Sequence, residues 1–127
     1  MCSAFGLARS GSEKRIVKNI ILIKDFDLIP TADSDKDKEV NQLFNGAFRA
    51  IIEVRLQNGA ILSKHKANEP ITVFCLSGKG VFRAGIDLED SLDLRAGTLL
   101  TLEGGGVEHE VVADPALHLI VTKFKDS

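Results

Sequence analysis

From Ala47 onward the chain repeats with a period of two. Phe48, Ala50, Ile52, Val54 and Leu56 are apolar, and Arg49, Glu53 and Arg55 alternate with them. Side chains at that period fall on opposite faces of a strand, so one face is buried and the charged face is wet. Asn58-Gly59 follows, a strong turn signal. Ala60 to Lys66 is a short strand ending at Asn68-Glu69-Pro70. Ile71 to Leu76 is apolar on both faces and rich in strand formers, the pattern of a central strand.

The alternation continues to the end. Ser77-Gly78-Lys79-Gly80 reads as a turn, followed by strands over Val81 to Leu88 and Leu92 to Leu94. Arg95-Ala96-Gly97 turns the chain before Thr98 to Leu102, and Glu103 to Gly106 is a glycine-rich loop. Val107 to Val112 alternates again, Asp114-Pro115 reads as a turn, and Leu117 to Phe124 is the last strand. Short strands at roughly 8–12-residue spacing, with turn signals between them, predict an all-β sandwich or barrel. A short helix is expected only over part of Lys36 to Phe44.

At 127 residues the chain is one domain's worth of sequence. The first 16 residues, small, polar and basic, read as a flexible arm, with a single domain over residues 17–127. They lack the basic stretch and apolar core of a secretory signal, and Cys2 removes the Met-Gly lipidation pattern. Asp33 to Glu39 alternates aspartates as a calcium loop does. Yet Lys36 and Lys38 interleave them, Lys38 takes the glycine position and Phe44 that of the final glutamate, so a solvated loop is expected.

Sixteen Lys and Arg against 18 Asp and Glu leave a net charge of −2, with no basic excess to hold a phosphate backbone. No nucleic-acid partner is expected. The longest apolar runs fall far short of the ~18 residues of a membrane span, so no membrane partner is expected either. Cys2 and Cys75 lie far apart and form no C-x-x-C unit, which fits a reducing, cytoplasmic setting. Trp and Tyr are absent while Phe occurs seven times, a poor palette for sugar stacking, and one common general acid is missing.

The stretch from Gly59 to Ala113 resembles the cupin superfamily. His65 follows Gly59 after five residues, as in the first cupin motif; the second histidine position is Ala67 and the glutamate position is Ile71. In the second motif Gly106-Val107-Glu108-His109 keeps the G-x-x-H pattern, while Gly104 stands at the proline and Ala113 at the asparagine. The phrase His65 to Ile71 is similar to that of small single-domain bacterial cupins whose middle ligands are missing. The resemblance implies a single antiparallel jelly-roll β-barrel of the RmlC-like type. It covers about half the chain and bears on fold more than on chemistry, since one fold hosts many reactions.

With His65 facing inward, parity places Ser63, His65 and Ala67 in the barrel, with Ile71, Val73 and Cys75 on the next strand and His109 beyond. These residues are the expected ligand pocket, and His65 and His109 are expected to approach each other at its mouth. Glu69 shares the parity of His65 and would complete a two-His, one-carboxylate set for a divalent transition metal (Fe, Mn, Ni or Zn). The alternative is that the imidazoles bond each other, water or polar neighbours. Cys75 reads as a small buried hydrophobe. His118 reads as a packed or edge histidine that could also serve as a replacement ligand.

The expected function is therefore the binding of a small, partly apolar molecule. The alternative is a metal-dependent enzyme, dioxygenase or isomerase, using His65, His109 and an atypical third ligand; the lack of Tyr argues against the sugar-epimerase branch. A third reading makes the pocket vestigial and self-association the main role. A homodimer is expected, because Phe74 and Leu76 must be covered from outside the pocket, and Ile20 to Ile23 could extend a partner's sheet edge.

Overall fold

The computed structural model describes residues 15–17, 19–27 and 35–125, and all regular structure among them is strand. In chain order the strands are β1 (Arg15–Val17), β2 (Ile20–Leu22), β3 (Lys38–Asn45), β4 (Arg49–Leu56), β5 (Ile61–Ala67), β6 (Ile71–Ala84), β7 (Asp90–Arg95), β8 (Leu99–Leu102) and β9 (Val107–Phe124). Strands β1 and β2 pair with each other, and the other seven form one antiparallel system.

Two long strands organise that system. The first part of β6 pairs with β8 and with the last part of β9, from Ile71↔Lys123 to Cys75↔Leu119. Its second part pairs with β7 and the first part of β9, up to Ala84↔His109. One layer is therefore β3–β4–β9–β6–β8, the other β5–β9–β6–β7, and both long strands pass from one layer to the other. Their corner falls at Ser77 to Gly80 and Ala113 to Leu117, where the register shifts. A Cβ on Gly78 would sit 2.1 Å from the Ala116 carbonyl oxygen, and one on Gly80 would sit 2.3 Å from that of Val112. Only glycine lets the two backbones cross this closely.

The two expected turns at this corner are thus bends within continuous strands, and the strand expected over Val81 to Leu88 is the second part of β6, which ends at Ala84. The helix expected over Lys36 to Phe44 is absent; Lys38–Asn45 is β3, paired with β4 from Lys38↔Leu56 to Asn45↔Ala50. The open edge of β4 decides this segment: its ladder bonds outweigh the weak helical preference of a short charged run.

The core lies between the layers. Val54, Leu56, Val73, Cys75, Leu94, Leu117 and Leu119 are almost fully buried. Of the residues expected there, Val54, Ile71, Val73, Val111 and Leu119 are buried, and Ile52 and Leu100 pack against them half-buried. Phe48 is an error of extrapolation: it precedes the first residue of β4, in the turn after β3, and is 62% exposed. The arm read over residues 1–16 lies mostly outside the described residues; its last two positions belong to β1.

Candidate ligand-binding pocket

A cavity of about 310 Å3 opens between the layers. Its walls are apolar: Ile52, Val54, Leu62, Ile71, Val73, Phe82, Val111, Leu119 and Val121. Its polar lining is His65, Lys66, Asn68, Glu69, His109 and Lys123. Mostly apolar walls with a few convergent polar groups, at the small end of the usual size range, are the ordinary character of a small-molecule site.

Strand β5 runs to the mouth and ends at Ala67; Asn68 to Pro70 turn the chain, and β6 starts back inward at Ile71. Ala67 pairs with Val107 and Ile71 with Lys123, so the start of β9 and its end meet at the same mouth from opposite layers. The loop at Gly104 closes beside this turn. Gly105 N donates to the Asn68 carbonyl at 3.0 Å and Gly106 N to that of Ala67 at 2.9 Å. A Cβ on Gly104 would lie 2.6 Å from the Asn68 carbonyl oxygen, which explains a glycine where the cupin motif has proline.

His65 and His109 are direct cross-strand partners, with ring centroids 5.8 Å apart and planes tilted by 33°. Phe82 stacks on the imidazole of His109, centroids 5.7 Å apart and planes 9° from parallel. Burial pushes the His109 imidazolium down first, and the charges of His65 and Lys123 push it further, against a hydrogen bond with the Val107 backbone. His109 is therefore neutral at pH 7. Its Nδ1 is buried and, among the described residues, has no hydrogen-bond partner. Such orphaned atoms are few in native folds and mark places where a partner is due.

The structure brings His65, Ala67, Ile71, Val73 and His109 to one cavity and leaves out Ser63 and Cys75. For Ser63 the reason is a bulge. Leu62 pairs with Val111 and His65 with His109, so three steps on β5 oppose two on β9. The extra residue returns both Leu62 and His65 to the cavity and turns Ser63 to solvent, where it is exposed. Cys75 lies deeper, fully buried in the core, where its thiol donates to the Ser77 carbonyl at 3.4 Å. Burial pushes that thiol up, which makes it inert at neutral pH.

Glu69 lines the cavity, yet among the described residues no three His, Cys, Asp or Glu side chains are grouped to hold a metal ion. The metal positions of the cupin motif carry Ala67 and Ile71, both buried in the cavity wall. Two imidazoles without a third donor do not fit a catalytic transition metal, which takes three protein ligands.

His118 is not at the cavity. It is buried on the outer face of the β4–β9 layer, its Nε2 2.7 Å from Oε2 of Glu53. Lys24 Nζ lies 3.2 Å and Arg55 Nε 3.2 Å from the same carboxylate, and Phe26 packs edge-on against the His118 ring at 5.6 Å. The pattern assigns Glu53 to a wet face; the structure covers it with the segment that follows β2. Lys66, Phe82 and Lys123 also line the cavity beyond the expected residues, and the parity of Lys123 with Leu119 and Val121 marks it as inward.

By sequence, no family model and no curated protein matches the chain. Solved structures do. A cupin superfamily protein from Desulfitobacterium hafniense superposes with a TM-score of 0.66 at 13% identity, covering 76% of this chain and 84% of its own. An RmlC-like cupin with a double-stranded β-helix fold from Methanocaldococcus jannaschii gives 0.63 at 18%, covering 74% and 84%. A conserved protein of unknown function from Streptococcus pyogenes gives 0.67 at 18%, covering 89% and 96%. The chain has the cupin fold, the antiparallel jelly roll that its motif spacing implies. At these identities the likeness carries the fold alone. Among the described residues, no helix is long and apolar enough to cross a membrane.

Proposed function

We propose that this protein is a binding module that holds a small, partly apolar molecule in the barrel without a metal. The observation that carries this is the composition of the cavity wall. Ala67 and Ile71 stand where metal ligands would be, beside Val73, Val111, Leu119 and Val121, while His65 and His109 remain paired at the mouth. An apolar body is accommodated by the walls, and a polar end meets the imidazoles. Metal analysis of protein purified without a histidine tag tests this reading, which expects substoichiometric metal.

The second reading, a metal-dependent cupin enzyme of dioxygenase or isomerase type, draws on one observation. His109 is neutral, the form that ligates metals, and among the described residues its Nδ1 lacks a partner. Stoichiometric metal in the untagged protein would favour it.

We further propose a homodimer through the outer face of β8–β6–β9. Leu99, Phe74 and Ile120 are aligned by register across three strands, with Leu99 66% and Phe74 38% exposed. A cytoplasmic setting accords with the free, buried thiol of Cys75.

A further inference from the structure

The proposed binding site has a charge asymmetry at its mouth. Among the described residues its charged lining is Lys66 and Lys123 against Glu69 alone, with no arginine. Lys66 alternates with His65 and Ala67, and its register partner is Glu108, so an acid stands beside it on the neighbouring strand. Lys123 differs. It follows Leu119 and Val121 at the inward period and pairs with buried Ile71. Among the described residues no hydrogen bond or ion pair engages its ammonium. It approaches from the layer opposite the His65–His109 pair, so a cation and two imidazoles look across one opening.

We infer that the ligand of this cavity is an amphipathic monocarboxylate of about six carbons, its head group held between Lys123 and the His65–His109 pair and its chain lying on Val73, Leu119 and Val121. This rests on the binding-module reading above and names the class of molecule bound. The carboxylate accepts from the Lys123 ammonium on one side and from the imidazole N–H of His65, the exposed ring of the pair, on the other. The cavity volume, about 310 Å3, equals that of on the order of ten water molecules, which suits a short chain and not a long one.

Phosphate is the less suitable anion. Its usual cradle is a run of free backbone N–H groups or an arginine fork. Here the glycine loop at the mouth spends the amides of Gly105 and Gly106 on the carbonyls of Asn68 and Ala67.

The test uses three probes of equal chain length, hexanoate, 1-hexanol and hexylammonium, titrated by calorimetry and thermal shift at fixed ionic strength. The proteins are wild type, Lys123→Met, Lys123→Gln and, as a charge control remote from the cavity, Lys79→Met. Both Lys123 variants keep a long side chain at an exposed position and are expected to fold. Hexanoate is expected to bind with one-to-one stoichiometry and to raise the melting temperature. Hexanol is expected to bind at least about tenfold more weakly, and hexylammonium not measurably. Both Lys123 variants should lose at least about tenfold in hexanoate affinity while Lys79→Met loses none. Hexanol or hexylammonium binding as tightly as hexanoate, or Lys123 variants with unchanged affinity, would overturn the carboxylate inference and leave the binding-module reading standing. Binding of none of the three probes to wild type would overturn both.

Discussion

Glu53 and His118 meet 2.7 Å apart, Oε2 to Nε2, on the outer face of the β4–β9 layer, with the Glu53 side chain only 1% exposed. Burial pushes the Glu53 carboxyl up, but hydrogen bonds from His118 and Lys24 and the charges of Lys24 and Arg55 outweigh it and hold the group below its usual value. Burial pushes His118 down, aided by Arg55 and Lys24, and Glu53 opposes this only in part. The pair in the folded protein is therefore a carboxylate accepting from a neutral imidazole.

These two groups, together with His109, make the protein acid-sensitive. The folded state binds protons less readily than the unfolded chain at His118, His109 and Glu53, so stability falls as pH falls. The loss begins below about pH 6.5, where unfolded histidines protonate, and continues below about pH 4.3 as unfolded Glu53 does the same. Each group contributes at most about 1.4 kcal/mol per pH unit over its own window. Urea unfolding from pH 8 to pH 4 is expected to show a plateau above pH 7 and a decline below it, and His118→Gln should flatten the upper part of that decline.

Replacing the carboxylate by an amide leaves four donors, from Lys24, Asn41, Arg55 and His118, around a single neutral acceptor. Glu53→Gln is expected to cost roughly 3 kcal/mol, at the low end for breaking a buried pair because Lys24 and Arg55 still reach solvent. Equilibrium denaturation measures it. Ligand affinity of the cavity should be unchanged, since Glu53 lies on the other side of the layer.

At the corner of the long strands, Gly78→Ala forces a Cβ to 2.1 Å from the Ala116 carbonyl oxygen, so the backbones must separate. Gly97 has a similar positive φ, but nothing lies within 4 Å of its would-be Cβ. Gly97→Ala should cost about 1–2 kcal/mol, the left-handed backbone penalty alone. Gly78→Ala should cost at least about 3 kcal/mol, or leave no folded protein, a contrast that parallel melting curves resolve.

The proposed dimer is tested on the outer face. Light scattering is expected to give twice the 13.8 kDa chain mass for wild type and the chain mass itself for Leu99→Glu. A charge at so exposed a position costs the monomer little, so the variant should remain folded. Wild type at the chain mass at micromolar concentration would contradict the dimer.

The strand pattern made the layers legible because alternation is a local property. Val54, Ile71, Val73, Val111 and Leu119 follow from parity alone. The pairing of His65 with His109 followed from two short motifs, since spacing from Gly59 and Gly106 survives even where Ala67 and Ile71 replace ligands. Parity misled wherever the strand was not regular. The bulge between Leu62 and His65 moved Ser63 out of the cavity, and the alternation was carried one step past the start of β4 to Phe48. Glu53 was illegible for another reason: its cover comes from Lys24 and Phe26, about thirty residues away, and nothing in the strand itself announces it. Likewise the continuity of β6 and β9 depends on how they cross, and Gly78 and Asp114-Pro115 look like any turn until that crossing is seen.

The central claim, that the cavity binds its ligand through His65 and His109 without a metal, is tested most directly by one thermal-shift series. Wild type, His65→Ala and His109→Ala are titrated with small amphipathic molecules, each with and without a chelator. The account predicts a concentration-dependent rise in the wild-type melting temperature, unchanged by the chelator and reduced to less than half in both variants. A rise that the chelator abolishes and added divalent metal restores would contradict it.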